Sequence, residues 1–137
     1  MREILFKAKR IDNDEWVEGC LVIDHSRSNL FEYRMKPVES GILYAPPINP
    51  ETLCQFTGLC DRYGNKIWEN DIVTCQTRYG GDIGKVVFHS GKFCVLWNST
   101  YHYSRNGKCE NYYDINTKNS VKGNVFDNPE LLQEEHK

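Results

Sequence analysis

Apolar and polar residues alternate near the start of the chain. Ile4, Phe6 and Ala8 fall on one side of an extended segment and Lys7 and Lys9 on the other, with Leu5 as the exception. A repeat of two is the period of a half-buried strand. Asp12-Asn13-Asp14 then supplies turn chemistry, because Asn and Asp tolerate left-handed backbone and hydrogen-bond their own main chain. Trp16 to Ile23 resumes as a strand, so the two segments predict an N-terminal hairpin. His25 to Asn29 reads as a loop, and Leu30 to Tyr33 and Gly41 to Tyr44 as short strands. Pro46, Pro47 and Pro50 forbid helix and hold the residues before them extended. Ala45 to Glu51 is therefore an extended connector, either between two halves of one domain or between two subdomains. The subdomains would be a hairpin region, 1–45, and a barrel-like core with a C-terminal helix, 52–133.

The middle of the chain carries the densest signals. Leu53 to Phe56 predicts a short strand, Gly58 and Gly64 punctuate the next stretch, and Asp61 to Lys66 is a tight turn. Asn70 stands where the chain must reverse, and Asn is the best stand-in for Gly at positive φ. Asp71 leads into the β-branched run Ile72 to Cys75. Gly80-Gly81-Asp82 closes that strand, Gly84 to His89 and Lys92 to Trp97 form a pair around Ser90-Gly91, and Val121 to Phe126 is a last strand. Asn128-Pro129-Glu130 has the parts of a helix start in order: a cap, a Pro at the first position and an acid in the first turn. The expected fold is mostly β, a small, strongly bent sheet or barrel with an N-terminal hairpin and a short C-terminal helix.

Composition narrows the class. A length of 137 residues fits one domain, and 39% hydrophobic with 26% charged residues is globular rather than disordered composition. The net charge is −2, from 17 basic and 19 acidic residues. That balance argues against a dedicated nucleic-acid binder, whose affinity comes largely from neutralising phosphates. No apolar run approaches the roughly 18 residues of a membrane span, and the charged start Met-Arg-Glu-Ile-Leu-Phe-Lys has no apolar core of a signal peptide. The expected location is the cytosol, with no membrane partner. Six cysteines show neither Cys-x-x-Cys spacing nor a His at metal-ligand spacing. They read as free thiols in a reducing compartment, with Cys75, Cys94 and Cys20 as small hydrophobes. Neither a metal nor any other cofactor is expected.

Three constellations carry candidate chemistry. Asp71 reads as a carboxylate that accepts backbone N–H groups around Trp68 to Asn70; a general acid or base would need a titratable partner and a cleft. His25, His89 and His102 sit in loops or at strand ends, where spacing cannot pair them with a nucleophile. Trp97, Tyr101, Tyr103, Tyr112 and Tyr113 are interleaved with Arg105, Lys108 and Lys118. Such a segment suits packing over the sheet, a protein interface rich in Tyr, Trp and Arg, or stacking on single-stranded nucleic acid.

Several blocks then line up in order. Met1-Arg2-Glu3-Ile4-Leu5-Phe6-Lys7-Ala8-Lys9 precedes Asp14-Glu15-Trp16-Val17-Glu18-Gly19. Gln55-Phe56-Thr57-Gly58-Leu59-Cys60-Asp61 and Gly64-Asn65-Lys66-Ile67-Trp68-Glu69-Asn70-Asp71-Ile72-Val73 come next, and Gly123-Asn124-Val125-Phe126-Asp127-Asn128-Pro129-Glu130-Leu131-Leu132 comes last. Across nearly its whole length the chain resembles the YopX family of phage and prophage proteins. That family usually has Gly where Asn70 stands and a charged or polar residue where Cys60 stands. The resemblance implies a β-rich fold with an SH3-like barrel element, a phage or prophage origin, residence in a bacterial host cytosol, and self-association. It brings no activity, and hence no catalytic residues to carry over. The expected function is that of a non-enzymatic accessory protein, a homo-oligomeric interaction module for a phage or host protein. The alternative is a nucleic-acid-binding module that uses the aromatic, basic segment 97–118. The candidate surface is Trp97, Tyr101, Tyr103, Arg105, Lys108, Tyr112 and Tyr113, and the structural turns rest on Gly58, Gly64, Asn70 and Asp71.

Overall fold

The computed structural model describes residues 2–26, 32–38, 44–77, 80–104, 107–116 and 118–132, and the side chains of these except within 75–82 and 98–111. The chain divides into two compact units, Met1–Phe56 and Thr57–Lys137.

In the first unit β1 (Phe6–Lys9), β2 (Trp16–Ile23) and β3 (Tyr33–Pro37) form an antiparallel meander. The N-terminal hairpin forms as its alternation predicts, with Ala8 opposite Val17 and Lys9 opposite Trp16. Asp14 takes φ 60° in the connecting turn. The strand period does not extend backwards to Ile4, which is 58% exposed, whereas Leu5 is buried. Leu5 precedes β1, and its carbonyl accepts Phe56 N–H at 2.8 Å. Ala8, Met35 and Ile48 form the core, with Phe6, Val17, Leu21, Tyr33 and Leu53 packed around them.

The proline segment lies inside this unit and covers that core. Met35 N–H donates to Pro46 O at 3.0 Å, Ile48 N–H to Tyr33 O at 2.9 Å and Asn49 N–H to Lys9 O at 2.9 Å. The segment thus satisfies backbone groups at the outer side of β3 and the end of β1, although its prolines donate nothing. It ends in a 3-10 turn, Pro50–Thr52, capped by the Asn49 side chain. Gly19 sits opposite Phe6 and Pro37. A Cβ added there would overlap the Lys36 carbonyl oxygen, so only glycine allows this approach of β2 to β3.

β4 (Cys54–Cys60) is longer than the short strand expected, and the boundary between the units falls inside it. Its first residues pair with β1, Cys54 opposite Lys7. In the second unit its remainder lies beside β5 (Lys66–Trp68), where Thr57 Oγ1 donates to Ile67 O at 2.7 Å. The rest of this unit is a five-stranded antiparallel sheet in the order β10-β6-β7-β8-β9. Its strands are β6 (Asp71–Thr77), β7 (Gly80–His89), β8 (Lys92–Ser104), β9 (Gly107–Tyr113) and β10 (Val121–Asn124). Ile67, Val73, Val86 and Val95 form its core, with Ile115 and Val121 against them.

The fold departs from expectation in further places, and Gly80-Gly81-Asp82, expected to close a strand, instead opens β7 and pairs with β6. The mostly β class stands, but no closed barrel forms among the described residues: β10 and β9 end the order of their sheet instead of pairing with each other. The C-terminal helix start is a four-residue 3-10 turn, Pro129–Leu132. The Asn128 side chain reaches back to accept Asn124 N–H at 3.2 Å, serving the preceding strand end. The polar stretch after Trp97 is a long hairpin, since β8 continues to Ser104 and pairs with β9. Tyr and Thr favour extended backbone whatever the polarity around them. The strand expected at 30–33 lies largely outside the described residues, as does that at 41–44. Among the described residues no helix is long and apolar enough to cross a membrane.

Candidate interaction surface

The register of the second sheet assigns each aromatic side chain to a face. Val86 lies opposite Val95, Phe88 opposite Phe93, and Val95 opposite Tyr113. Alternation puts Phe88, Phe93, Val95, Trp97 and Tyr113 on the face that carries the core. Trp97 was expected on the interaction surface. It is 1% exposed, because it continues the inward row of Val95 and belongs to the core. Towards the Ser90-Gly91 turn the same face runs out to solvent: Phe88 is 57% exposed and packs edge-on against Phe93, with ring centroids 5.0 Å apart. Tyr113 is 44% exposed and leans on Trp97 at 5.7 Å. The turn itself takes left-handed backbone at Ser90 and Gly91, the geometry that matches the twist of a tight hairpin.

The opposite face of this end carries a second aromatic pair. His89 and Tyr112 stack at 3.9 Å with planes 8° apart. Beside them Lys92 and Asp114 form an exposed ion pair at 2.7 Å, whose hydrogen bond raises the lysine pKa and lowers that of the aspartate. Cys94 on this face is buried, and burial pushes its thiol pKa up, so it is a packing residue rather than a thiolate nucleophile. Of the other sequence candidates, Tyr103 and Lys108 face each other across the β8–β9 pair and Tyr101 lies on β8. Their side chains, and all of Arg105, lie outside the described residues. The structure therefore brings Tyr112 and Tyr113 to the hairpin end and removes Trp97 from it. Phe88 and Phe93 are not among the site residues the sequence suggests, and His89 is weighed there only for a nucleophilic pair, although the period-two rows on either side of Ser90-Gly91 are a usable signal.

Of the expected turn residues, Gly64 and Asn70 take φ of 85° and 71° in turns, whereas Gly58, with φ 90°, lies within β4 and not in a turn. Asp71 is buried, and Trp68 N–H donates to its Oδ2 at 2.8 Å, which is the turn role expected of it. A second buried carboxylate, Asp61, was read only as a turn residue. Its Oδ1 accepts Tyr63 and Asn65 N–H at 2.9 and 2.8 Å; its Oδ2 accepts Asn65 Nδ2 at 3.2 Å and Val121 N–H at 3.0 Å. Burial acts to raise its pKa, but the Val121 and Asn65 donors outweigh it and hold the value at about 2. Asn119 completes the tie, donating to Thr74 O at 2.6 Å. These bonds fasten the segment before β10 to β6 and to the Asp61 turn.

Cys20, Cys54, Cys60 and Cys94 form no disulfide, and Cys20, expected to be buried, is exposed because its position in β2 faces away from the Ala8 core. His25 approaches Glu32 at 3.5 Å. Among the described residues no group of three or more His, Cys, Asp or Glu is placed to hold a metal ion. A hollow of about 250 Å³ in the first unit is lined by Arg10, Ile11, Asp14, Asn49 and Pro50. It is open, and smaller than the roughly 300–1,000 Å³ typical of small-molecule pockets.

No curated protein matches the chain. A crystal structure of protein EF1440 from Enterococcus faecalis is similar over 96% of this chain and 99% of that one, at 20% identity and a TM-score of 0.54, a likeness of fold. The family model described as YopX protein matches residues 5–133, and the chain belongs to the YopX family.

Proposed function

We propose that the chain is a non-enzymatic interaction module that self-associates through the aromatic end of its β7–β8–β9 sheet. One observation carries this reading: the core face runs out to solvent as Phe88 and Tyr113, rather than ending in polar residues. Exposed aromatics next to a packed layer supply large contact area at little entropic cost, and they are the residues on which interfaces concentrate binding energy. In a two-fold dimer the same patch serves both partners, so one aromatic end is enough. An origin in a phage or prophage genome and a place in a bacterial host cytosol belong to the same reading. Sedimentation velocity over a hundredfold concentration range tests it. The weight-average sedimentation coefficient is expected to rise with concentration, and a strict monomer at the highest concentration overturns the proposal.

A further inference from the structure

The first unit has a second surface, the face of β1, β2 and β3 opposite the Ala8–Met35–Ile48 core; at β4 the same face is buried, at Cys54 and Phe56. Pairing register places Lys9 beside Trp16 and Lys7 beside Glu18 on that face. It also places Lys36 beside Cys20 and Arg34 beside Val22. Four cations thus run obliquely from β1 to β3 with one carboxylate among them. Meanwhile Asp12, Asp14, Glu15 and Asp24 lie in the connections at the strand ends, and Asp14 reaches Lys9 at 3.9 Å. The chain as a whole has a charge of −2, so this sorting of charge by face is a property of the fold and is hidden in composition.

Trp16 sits at one end of the row. Its half-buried ring has Lys7 Nζ at 4.6 Å and Lys9 Nζ at 5.4 Å from the centroid. At the other end the Arg34 guanidinium lies 5.4 Å from the Tyr44 ring, which is 56% exposed. Between them β2 runs from Trp16 to Val22, about 20 Å at about 3.3 Å per residue. An aromatic ring at each end of a basic row is the arrangement that meets a flexible polyanion with π-faces: cations take the phosphates and rings take the bases.

We infer that this face binds single-stranded nucleic acid, with phosphates along Lys7, Lys36 and Arg34 and a base stacked on Trp16, while Lys9, its side chain 14% exposed and 3.9 Å from Asp14, supports the ring. A duplex would present its phosphates but hide its bases from the rings, and an acidic polypeptide would use the cations but not the ring. Glu18, at the centre of the row, repels a phosphate and limits affinity.

The test is fluorescence anisotropy of a labelled oligodeoxythymidine of about a dozen nucleotides, titrated with the full chain at low salt. Binding is expected to saturate, with log affinity falling against log salt by about 0.7 for each phosphate neutralised. Lys7→Gln with Arg34→Gln is expected to lower that slope by about 1.4 and to weaken binding at least tenfold. Trp16→Leu is expected to weaken binding about tenfold, as loss of one stacked base does. Glu18→Gln is expected to tighten binding several-fold, a gain that misfolding cannot produce. No binding at low salt overturns the assignment, as does a slope untouched by the double substitution. Equal affinity for a duplex of the same length, or for polyglutamate of the same charge, overturns the single-strand specificity. Phe88→Ser should leave this binding intact, which separates its failure from that of the self-association reading.

Discussion

Replacing Asp61 with Asn removes a buried charge while keeping the shape of the side chain. The carboxylate accepts four hydrogen bonds, three from backbone N–H groups, and Val121 among its donors lies 60 residues away in sequence. An Asn can turn its oxygen to Tyr63 and Asn65 N–H, but then its own NH2 faces Val121 N–H and Asn65 Nδ2. Two donors lose their acceptor, and hydrogen bonds to a charged group are worth about 1.5–3 kcal/mol each before compensation. The net loss at pH 7 is then about 3 kcal/mol, or roughly 10 °C in Tm at about 3–5 °C per kcal/mol for a chain of this size. The pH dependence gives the sharper check. The folded pKa of about 2 lies below the ordinary 3.8, so the stabilisation is present above pH 3.8 and is lost as pH falls through about 2. At about 1.4 kcal/mol per pH unit the drop from 3.8 to about 2 is worth about 2.5 kcal/mol. Urea unfolding of both proteins at intervals from pH 6 to pH 2 measures it. The gap between wild type and Asp61→Asn is expected to narrow by about 2 kcal/mol by pH 2, where about half of the native carboxylate is still charged. A gap that stays constant with pH refutes the role given to Asp61.

Other substitutions probe the turns and the close approach of strands. Gly19→Ala should destabilise the chain by about 2 kcal/mol or more, because its Cβ meets the Lys36 backbone carbonyl rather than a side chain that can swing away; an unchanged urea midpoint would contradict that contact. Asn70→Gly should be near neutral and Asn70→Ala should cost about 1 kcal/mol, since the position needs φ 71°, and denaturant unfolding of the pair reads the difference directly. Asp71→Ala should cost about 1–3 kcal/mol by leaving the buried Trp68 N–H without its acceptor, with an unchanged Tm arguing against the turn role.

What could be read from the sequence was what is local. The β1–β2 hairpin, the reversal at Asn70-Asp71 and the Ser90-Gly91 turn are each specified by a few adjacent residues, and all three form. The bonds that organise the second unit join Asp61 to Val121 and Asn119 to Thr74, 60 and 45 residues apart, and such pairings leave no periodic trace. An Asp in a turn looks the same whether it caps that turn alone or also anchors a distant strand. The β8–β9 extension was hidden for another reason: backbone pairing asks for extended geometry, not for alternating polarity. Trp97 was misplaced although the signal was there, since Phe93, Val95 and Trp97 keep a strict period of two on the row opposite Val86 and Phe88. The charge sorting in the first unit needed the register, because Lys7, Lys9, Arg34 and Lys36 come together only when β1, β2 and β3 are paired.

The central claim is that the aromatic end of the second sheet is an interface. Sedimentation equilibrium of the wild type beside the Phe88→Ser, Tyr113→Ser double variant tests that claim. Both residues are more than two-fifths exposed, so the fold should tolerate the change, and Tm should fall by no more than a few degrees. The association constant is expected to drop at least tenfold, about 1.4 kcal/mol. An association constant unaltered in a folded double variant contradicts the central claim.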